Sequence, residues 1–291
     1  MIRTDNAYAK VNLTLDVLGL RPDGFHDIES LMQLTGLYDR ITLEEGGHGL
    51  SLASDNAFLP LDEKNICYRA AMNFYRYFSI PETKQNARIT IEKRIPISAG
   101  LGGGSADGAA VLRLLARLYK IKDRQGLLEV AAQTGSDVPF CLVGGTAVCR
   151  GRGEKMTPAA SCPVPVYLVI AKNTTGLSTP AIYQAFDQLA VPEDHPPLAD
   201  CLQALEQGNV GELARSVFNA MEQVSVPKRP AIAQLKEKML AMGAVGAKMS
   251  GSGPSVFGLF TREQEARNCC MALRREKIVA YHTQFLNKTL W

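Results

Sequence analysis

The sequence lacks the features that mark membrane, secreted and nucleic-acid-binding proteins. One of its longest apolar stretches, "VPVYLVIA" at 164–171, is far shorter than the roughly 20 residues that a membrane-spanning helix needs. The segment "MIRTDNAYAK" contains no apolar signal core. Lysines and arginines are scattered and the net charge is only +3, so no basic patch is expected. We therefore expect a cytoplasmic protein whose partners are small molecules, with no nucleic acid and no membrane among them.

A disulfide framework is also missing from the sequence. The seven cysteines are odd in number and irregularly spaced, and no C-x-x-C occurs. This usage is typical of reduced thiols in a cytosolic protein. The composition, 46% hydrophobic and 21% charged, is that of a globular protein, and 291 residues favour two domains over one.

The order of apolar residues predicts strands and helices in both halves of the chain. Val11, Leu13 and Leu15 nearly alternate with other residues and predict a first strand that ends at the turn "RPDG". The next segment, "HDIESLMQL", suits a helix as well as a strand. Other strands are predicted at 40–45, 87–97, 166–172 and 279–286, with a strand–loop–strand around "GAKMSGSGPSVFGLF", and helices at 65–78, 105–120, 123–133, 198–207, 229–241 and 262–276.

Glycines and prolines become dense at 151–165, before a new strand begins. This change predicts a domain boundary, with a first domain over 1–160 and a second over 161–291. Strands and helices mix in both parts, so the fold class is α/β or α+β.

The stretch "PISAGLGGGSADGAA", residues 96–110, carries four glycines among the five residues from Gly100 to Gly104 and leads into a predicted helix. It lacks the lysine of a Walker loop, and Ser105 stands where a dinucleotide fingerprint has its last glycine. Backbone N–H groups in such a loop, with the positive end of the helix dipole, can hold a phosphate. Ser105 can cap the helix or reach a phosphate oxygen or Mg²⁺. The alternative is a tight turn that only joins strand to helix.

A second glycine-rich stretch, "SGSGPS" at 250–255, lies between two predicted strands. By itself it is equally well read as a plain hairpin loop. Together with the first stretch it suggests two loops that face each other across a cleft between domains.

Two charged residues outside these loops are candidates for chemistry. Lys10 alternates with the apolar residues of the first strand, as does Asn12, and Asp137 lies in "GSDVPF" after a predicted helix. Each also has an ordinary interpretation. The lysine can simply be solvated, and the aspartate can cap a turn.

Three motifs occur in order along the whole chain: "AYAKVNLTLDV", "PISAGLGGGSA" and "GAKMSGSGPSVFG". Together they resemble the superfamily of galactokinase, homoserine kinase, mevalonate kinase and phosphomevalonate kinase. The resemblance implies an α+β fold with two domains. The first would be a nucleotide domain like domain 2 of ribosomal protein S5, and the second a ferredoxin-like α/β sandwich.

"AKVNLTLDVLGLRPDGFHDIESLMQ", "GLGGGSA" and "GSDVPFCLVGGTAVCRGRGE" are most similar to the branch of the superfamily in the non-mevalonate isoprenoid route. This implies transfer of the γ-phosphoryl group of ATP, with Mg²⁺, to the tertiary 2-hydroxyl of a cytidine diphosphate-linked methylerythritol. Phosphoryl transfer needs mainly positioning and stabilisation of negative charge, which fits these residue types.

The resemblance also assigns roles by position in the motifs. Asp137 matches the catalytic aspartate and Lys10 the lysine beside it. Gln184 stands where many relatives are expected to carry a lysine, so a positive contact to the substrate's diphosphate is not expected there. The remaining matches are, for ATP, Asn65, Pro96, Gly100, Leu101, Gly102, Gly103, Gly104, Ser105 and Ala106, and, for the acceptor, Asn12, Phe25, His26, Thr179 and Tyr183.

Two other functions remain open at this point. One is another small-alcohol kinase of the same superfamily, such as a homoserine or mevalonate kinase. The other is a protein that binds nucleotides without catalysis, which the presence of both Lys10 and Asp137 disfavours.

Overall fold

The computed structural model describes residues 2–189 and 197–291 and contains two β-sheets with helices packed against them. The strands are β1 (Ile2–Leu20), β2 (His26–Glu45), β3 (Leu50–Ser54), β4 (Ala87–Glu92), β5 (Thr146–Gly151), β6 (Lys155–Pro158), β7 (Tyr167–Lys172), β8 (Phe218–Asn219), β9 (Gly246–Met249), β10 (Val256–Phe260) and β11 (Val279–Gln284). The α-helices are α1 (Ile66–Tyr77), α2 (Gly103–Tyr119), α3 (Arg124–Thr134), α4 (Val138–Val143), α5 (Thr179–Phe186), α6 (Leu198–Glu206), α7 (Val210–Ser216), α8 (Glu222–Lys228), α9 (Ala231–Ala241) and α10 (Glu263–Arg275), and a 3₁₀ turn spans Glu82–Lys84.

The first sheet is built around the long antiparallel pair of β1 and β2. Its order is β3-β4-β2-β1-β8, and β5 pairs with β2 and with β6. The first part of β2 pairs with β5 and its last part with β4, so one strand has two different neighbours along its length. The segment that suited helix or strand is therefore a strand, because it has hydrogen-bonding partners on both sides.

The second sheet is antiparallel, in the order β11-β7-β10-β9. Helix α9 precedes β9 and helix α10 joins β10 to β11, which gives the β-α-β-β-α-β arrangement of a ferredoxin-like fold. The fold class expected from the sequence, α+β with a ferredoxin-like second part, is confirmed.

The core lies in three apolar clusters, and alternation along β7 explains two of them. Val169 and Ala171 face the helices of the second part. Leu168 and Ile170 face the opposite way and pack with Val11 and other residues of the first sheet. The third cluster lies between the first sheet and helices α1 to α4. The space between the two sheets is therefore filled by side chains rather than by solvent.

The two halves of the chain also exchange segments. Strand β8 lies beside β1 in the first sheet, in parallel, through Phe218 and Asn219. Near the end of the chain, Phe285 bridges to Thr35 and Thr289 to Gly144. The division at 160/161 falls between β6 and β7 and stays a prediction.

Strand β4 is shorter than the sequence predicted. The strand expected over 87–97 ends at Glu92. Beyond it, the N–H groups of Arg94 and Ile95 donate to the carboxylate of Asp39 instead of to a neighbouring strand. A buried side chain therefore satisfies the backbone where the ladder stops.

Two findings bear on the expected class of protein. Within residues 2–189 and 197–291, no helix is both long and apolar enough to cross a bilayer. The seven cysteines are free and buried, in agreement with the absence of a disulfide framework.

Candidate active site

The glycine-rich loop ends in a helix whose first N–H groups receive no side-chain cap. Gly102, at φ 67°, is the residue before α2, and the first hydrogen bond of the helix runs from Ala106 N to Gly102 O. The N–H groups of Gly103, Gly104 and Ser105 lie ahead of that bond. Because α2 has 17 residues, its dipole adds to these donors. The loop therefore has a geometry that can hold an anion such as a phosphate, and its role in ATP binding stays a prediction.

The second glycine-rich loop supports the first by direct contact. Ser250 Oγ donates to Gly100 O at 2.9 Å, and Ser255 N donates to Ala99 O at 3.3 Å. A Cβ on Gly100 would overlap the carbonyl oxygen of Ser250, and Gly100 has φ 75°. The two loops were expected to face each other across a cleft, and this was wrong, because they are in direct contact at Gly100 and leave no room for a Cβ there.

Lys10 links the phosphate loop to the candidate base. Its N–H donates to Leu101 O at 3.0 Å, and its side chain passes so close to Gly102 that a Cβ there would lie 3.0 Å from Lys10 Cγ. Lys10 Nζ lies 3.2 Å from Asp137 Oδ2. The lysine side chain is 5% exposed and the aspartate 27%, so the solvated lysine is ruled out while the carboxylate still reaches solvent.

Asn12 continues this chain of contacts into the protein. Lys10 Nζ donates to Asn12 Oδ1 at 2.7 Å, and Asn12 Nδ2 donates to Ser30 Oγ at 2.8 Å. Ser30 in turn donates to Thr14 O. Because all of these groups are buried and hydrogen-bonded, the lysine ammonium is held in one position beside Asp137.

Asn65 begins helix α1 beside the glycine loop. Its Oδ1 accepts from Cys67 N at 2.9 Å and its Nδ2 donates to Pro60 O at 2.7 Å. The amide therefore caps the helix, and a contact to ATP would use its remaining lone pair or N–H. Ile66 lies next to the loop, since a Cβ on Gly104 would be 3.5 Å from its Cγ2.

Most of the other residues matched to ATP have buried side chains or none, so any contact that those make with ATP would use their backbone. Leu101 and Ala106 are each 1% exposed and belong to the core. Pro96 lies in the segment between β4 and the loop. A Cβ at Gly103 would lie 3.0 Å from Ile95 Cγ2, so a larger residue there would need a shift of the Ile95 side chain.

On the acceptor side, the structure brings together His26 and Tyr183 from the two halves of the chain. Their rings stack with centroids 4.5 Å apart and an angle of 25°. His26 Nε2 lies 2.7 Å from Asp187 Oδ1. Burial, and secondarily the charge of Asp137, raises the pKa of the Tyr183 hydroxyl. Tyr183 therefore lies within electrostatic range of Asp137.

Phe25 and Thr179 lie at the same end of the structure, in different surroundings. Phe25 is 50% exposed, and the guanidinium of Arg152 covers its ring at 4.9 Å. Thr179 Oγ1 is 2.8 Å from Ser252 Oγ of the second glycine loop. One aromatic face is thus open, and the threonine connects α5 to the loops.

A buried charged cluster under the phosphate loop escaped sequence analysis. Lys93 Nζ donates to Asp39 and, at 2.7 Å, to Asp107 Oδ2, while Asp107 Oδ1 is buried without a hydrogen-bond partner. Burial raises the pKa of Asp107 well above its usual range, and the charge of Lys93 opposes this shift. The three residues come from β2, the segment after β4, and α2, and no spacing in the sequence connects them.

Within the described part of the chain, no group of three or more His, Cys, Asp or Glu side chains is arranged to hold a metal. A Mg²⁺ ion at this site would therefore depend on the phosphate oxygens of a nucleotide and on water. Ser105, at the start of α2, carries a side-chain oxygen of the kind that Mg²⁺ binds, and its role toward the ion stays a prediction.

Comparison with known proteins identifies a family of kinases that are similar to this chain over most of its length. Residues 65–145 match the GHMP kinases N terminal domain and residues 201–278 match GHMP kinases C terminal. A protein of Pelotomaculum thermopropionicum named 4-diphosphocytidyl-2-C-methyl-D-erythritol kinase is 42% identical over 97% of this chain and 98% of its own. One of the same name from Caldicellulosiruptor saccharolyticus is 44% identical over 89% of each chain.

Solved structures agree with these relatives. A crystal structure of 4-(cytidine 5'-diphospho)-2C-methyl-D-erythritol kinase has a TM-score of 0.80 and 34% identity, and the match covers 98% of this chain and 100% of the other. The homoserine kinase of Cytophaga hutchinsonii, at 20% identity and a TM-score of 0.75 over 98% of this chain and 95% of the other, shares the fold.

Proposed function

The chain belongs to the 4-diphosphocytidyl-2-C-methyl-D-erythritol kinases of the GHMP kinase superfamily, and from this we propose that it phosphorylates the 2-hydroxyl of 4-diphosphocytidyl-2-C-methyl-D-erythritol with ATP. The observation that supports this most strongly is the position of Lys10, between the phosphate loop and Asp137. The loop that would bind the phosphate donor and the candidate proton acceptor are thus connected through one buried lysine.

In this proposal the phosphate loop binds the donor. The N–H groups of Gly103, Gly104 and Ser105 and the dipole of α2 hold the phosphates of ATP. The first half of the chain would be the nucleotide-binding domain and the second half would complete the acceptor site. Mg²⁺, bound mainly through the nucleotide, neutralises phosphate charge.

Asp137 and Lys10 act on the acceptor. The 2-hydroxyl oxygen forms a bond to the γ-phosphorus, the bond from that phosphorus to the β,γ-bridging oxygen breaks, and ADP leaves. The hydroxyl proton passes to the Asp137 carboxylate. Lys10, held by Asn12, keeps that carboxylate in place and stabilises the negative charge of the transferred group.

Four residues bind the acceptor beyond its 2-hydroxyl: Phe25, His26, Thr179 and Tyr183. The exposed face of Phe25 and the ring of Tyr183 can stack with a pyrimidine. Thr179 lies beside Ser252 of the second glycine loop, where it can contact the part of the acceptor nearest that loop. Stacking gives affinity, whereas selection of the base needs hydrogen bonds to its edge.

The test is a turnover assay with purified protein, ATP, Mg²⁺ and a panel of acceptors: the cytidine diphosphate-linked methylerythritol, homoserine and mevalonate. We expect ADP release that depends on the cytidine acceptor, and a product whose phosphate ³¹P NMR places on the 2-oxygen. Faster turnover of homoserine or mevalonate would overturn the proposal in favour of another kinase of the superfamily. ADP release unaffected by any acceptor would contradict a kinase function altogether.

A further inference from the structure

We propose that Asp187 is a positioning residue that determines which pyrimidine the acceptor site takes. It holds the Nε2 side of His26 and so leaves Nδ1 to meet the edge of the base. This inference rests on the proposed function, because it concerns the cytidine end of the same acceptor.

The contact between His26 and Asp187 connects distant parts of the chain. His26 is the first residue of β2, and Asp187 follows the last residue of α5. His26 Nε2 and Asp187 Oδ1 are 2.7 Å apart, with the histidine side chain 7% exposed and the aspartate 32%. Because the ring is mostly buried, this short contact restricts its orientation more than the same contact would restrict a ring exposed to solvent.

The stack with Tyr183 restricts the same ring from another direction. Tyr183 covers one face of His26. Asp187 directly follows α5 and comes four residues after Tyr183, so both side chains lie on the same side of the helix. Asp187 N donates to Tyr183 O at 3.0 Å, so the backbone joins the two partners. The imidazole is thus held in its plane by Asp187 and against its face by Tyr183. Among the described residues, its side-chain hydrogen bond is the one through Nε2, and Nδ1 is left for a ligand.

This arrangement decides which histidine nitrogen carries the proton. An ionised carboxylate only accepts hydrogen bonds, so Nε2 must donate to Asp187. In the neutral ring Nδ1 is then an acceptor. Cytosine carries an amino donor at the position where uracil has a carbonyl oxygen. An acceptor at Nδ1 therefore pairs with cytosine and faces a lone pair in uracil.

A purely structural role for Asp187, as a link between α5 and β2, would affect both bases alike. The experiment must separate this from selection of the base. Asp187→Ala removes the hydrogen bond. Asp187→Asn keeps an oxygen that can accept from Nε2. Asp27→Ala is the matched control, because Asp27 adjoins His26 in the chain but pairs with Arg21 and is half-exposed.

For each variant we would measure kcat and KM with the cytidine acceptor and with its uridine analogue. We expect Asp187→Ala to lose about fivefold in the ratio of the two kcat/KM values, the worth of one net hydrogen bond. The loss should appear as a higher KM for the cytidine acceptor with the KM for ATP unchanged. Asp187→Asn and Asp27→Ala should stay close to the wild type. In the wild type, ¹⁵N NMR of the imidazole should find the proton on Nε2.

An unchanged base preference in folded Asp187→Ala, or an equal loss for both acceptors, would overturn the inference. Failure of the proposed function is distinguishable. If the wild type phosphorylates neither acceptor, calorimetry with cytidine diphosphate and uridine diphosphate still reports selection of the base. A preference for cytidine diphosphate that disappears in Asp187→Ala supports the inference even then, and a preference that persists overturns it.

Discussion

Lys10 Nζ and Asp137 Oδ2 lie 3.2 Å apart, and the buried partner of this pair is the lysine. Asp137 precedes helix α4 but makes no side-chain capping bond, so its carboxylate is not needed to start that helix. Its position is explained better by a role toward a ligand than by a role in local structure.

We expect Asp137→Asn to remain folded and to bind ATP, although the buried Lys10 loses its charged partner, while turnover falls by about 10²–10⁴, the usual worth of a positioned general base. Single-turnover kinetics and ATP affinity check this. Asp123→Asn is the control, since Asp123 does cap a helix, through Gly126 N, and lies outside the site. Turnover of Asp137→Asn within a few-fold of the wild type would mean that another group takes the proton.

The glycines of the phosphate loop should differ in what they tolerate. Gly100→Ala forces a left-handed conformation and an overlap with Ser250, so we expect a loss of about 1–3 kcal/mol in stability and loss of ATP binding. Gly104→Ala makes only an ordinary contact with Ile66 and should keep the melting temperature. Thermal unfolding with and without ATP distinguishes the two. Equal melting temperatures would show that the contact between the loops is dispensable.

Replacement of Phe25 should affect only the affinity for the acceptor, whereas replacement of Tyr183 should affect both the affinity and the stability of the fold. Phe25→Ala should raise the KM of the cytidine acceptor by about 5- to 150-fold, the worth of one stacked base, at constant melting temperature, because Phe25 is half-exposed. Tyr183→Ala should raise the KM and also lower the melting temperature, because it removes the stack on His26. If both variants keep wild-type acceptor kinetics, pyrimidine stacking at this site is excluded.

The cluster under the phosphate loop predicts effects of different size for two similar changes. Asp39→Asn leaves the buried Lys93 with less negative charge and should cost about 3–5 kcal/mol. Burial raises the pKa of Asp107, which weakens the contribution of its charged form, and an asparagine there keeps an oxygen that can accept from Lys93 Nζ. We therefore expect Asp107→Asn to cost less than Asp39→Asn at neutral pH, by about 1 kcal/mol or more. Urea unfolding at pH 7 measures both. Equal losses would mean that burial does not weaken the contribution of the Asp107 carboxylate.

The same cluster predicts a pH dependence. The pKa of Asp107 is raised in the folded protein, mainly by burial, so the folded state binds more protons than the unfolded state once pH passes the ordinary pKa of an aspartate. The wild type should therefore lose stability as pH rises through this window, and Asp107→Asn should not. The free energy of unfolding of Asp107→Asn minus that of the wild type, measured by urea unfolding, should be lower near pH 4 than near pH 8.

Most elements of the fold were predictable from local patterns. The apolar periodicity of 105–120 and the alternation around Val11 correspond to α2 and β1. The site was predictable only where one motif carries the function, as in the glycine loop. Asp187, Asp39 and Lys93 were missed because their partners are distant in sequence, and a single carboxylate or lysine leaves no periodic signal. The end of β4 was misplaced for the same reason, since the side chain of Asp39 replaces a strand as its partner.

The contact of Ser250 with Gly100 has a consequence for the order in which the molecule is made. A ribosome synthesises the phosphate loop before the backbone that supports it, since Ser250 follows Gly100 by 150 residues. Asn219, which donates to Met249 O and Gly251 O, also arrives late. Domains generally fold as units during synthesis. We therefore expect a nascent chain to form most of its first sheet before residues 250–255 emerge and to gain its affinity for nucleotide only afterwards, so that a chain lacking these residues sequesters no ATP.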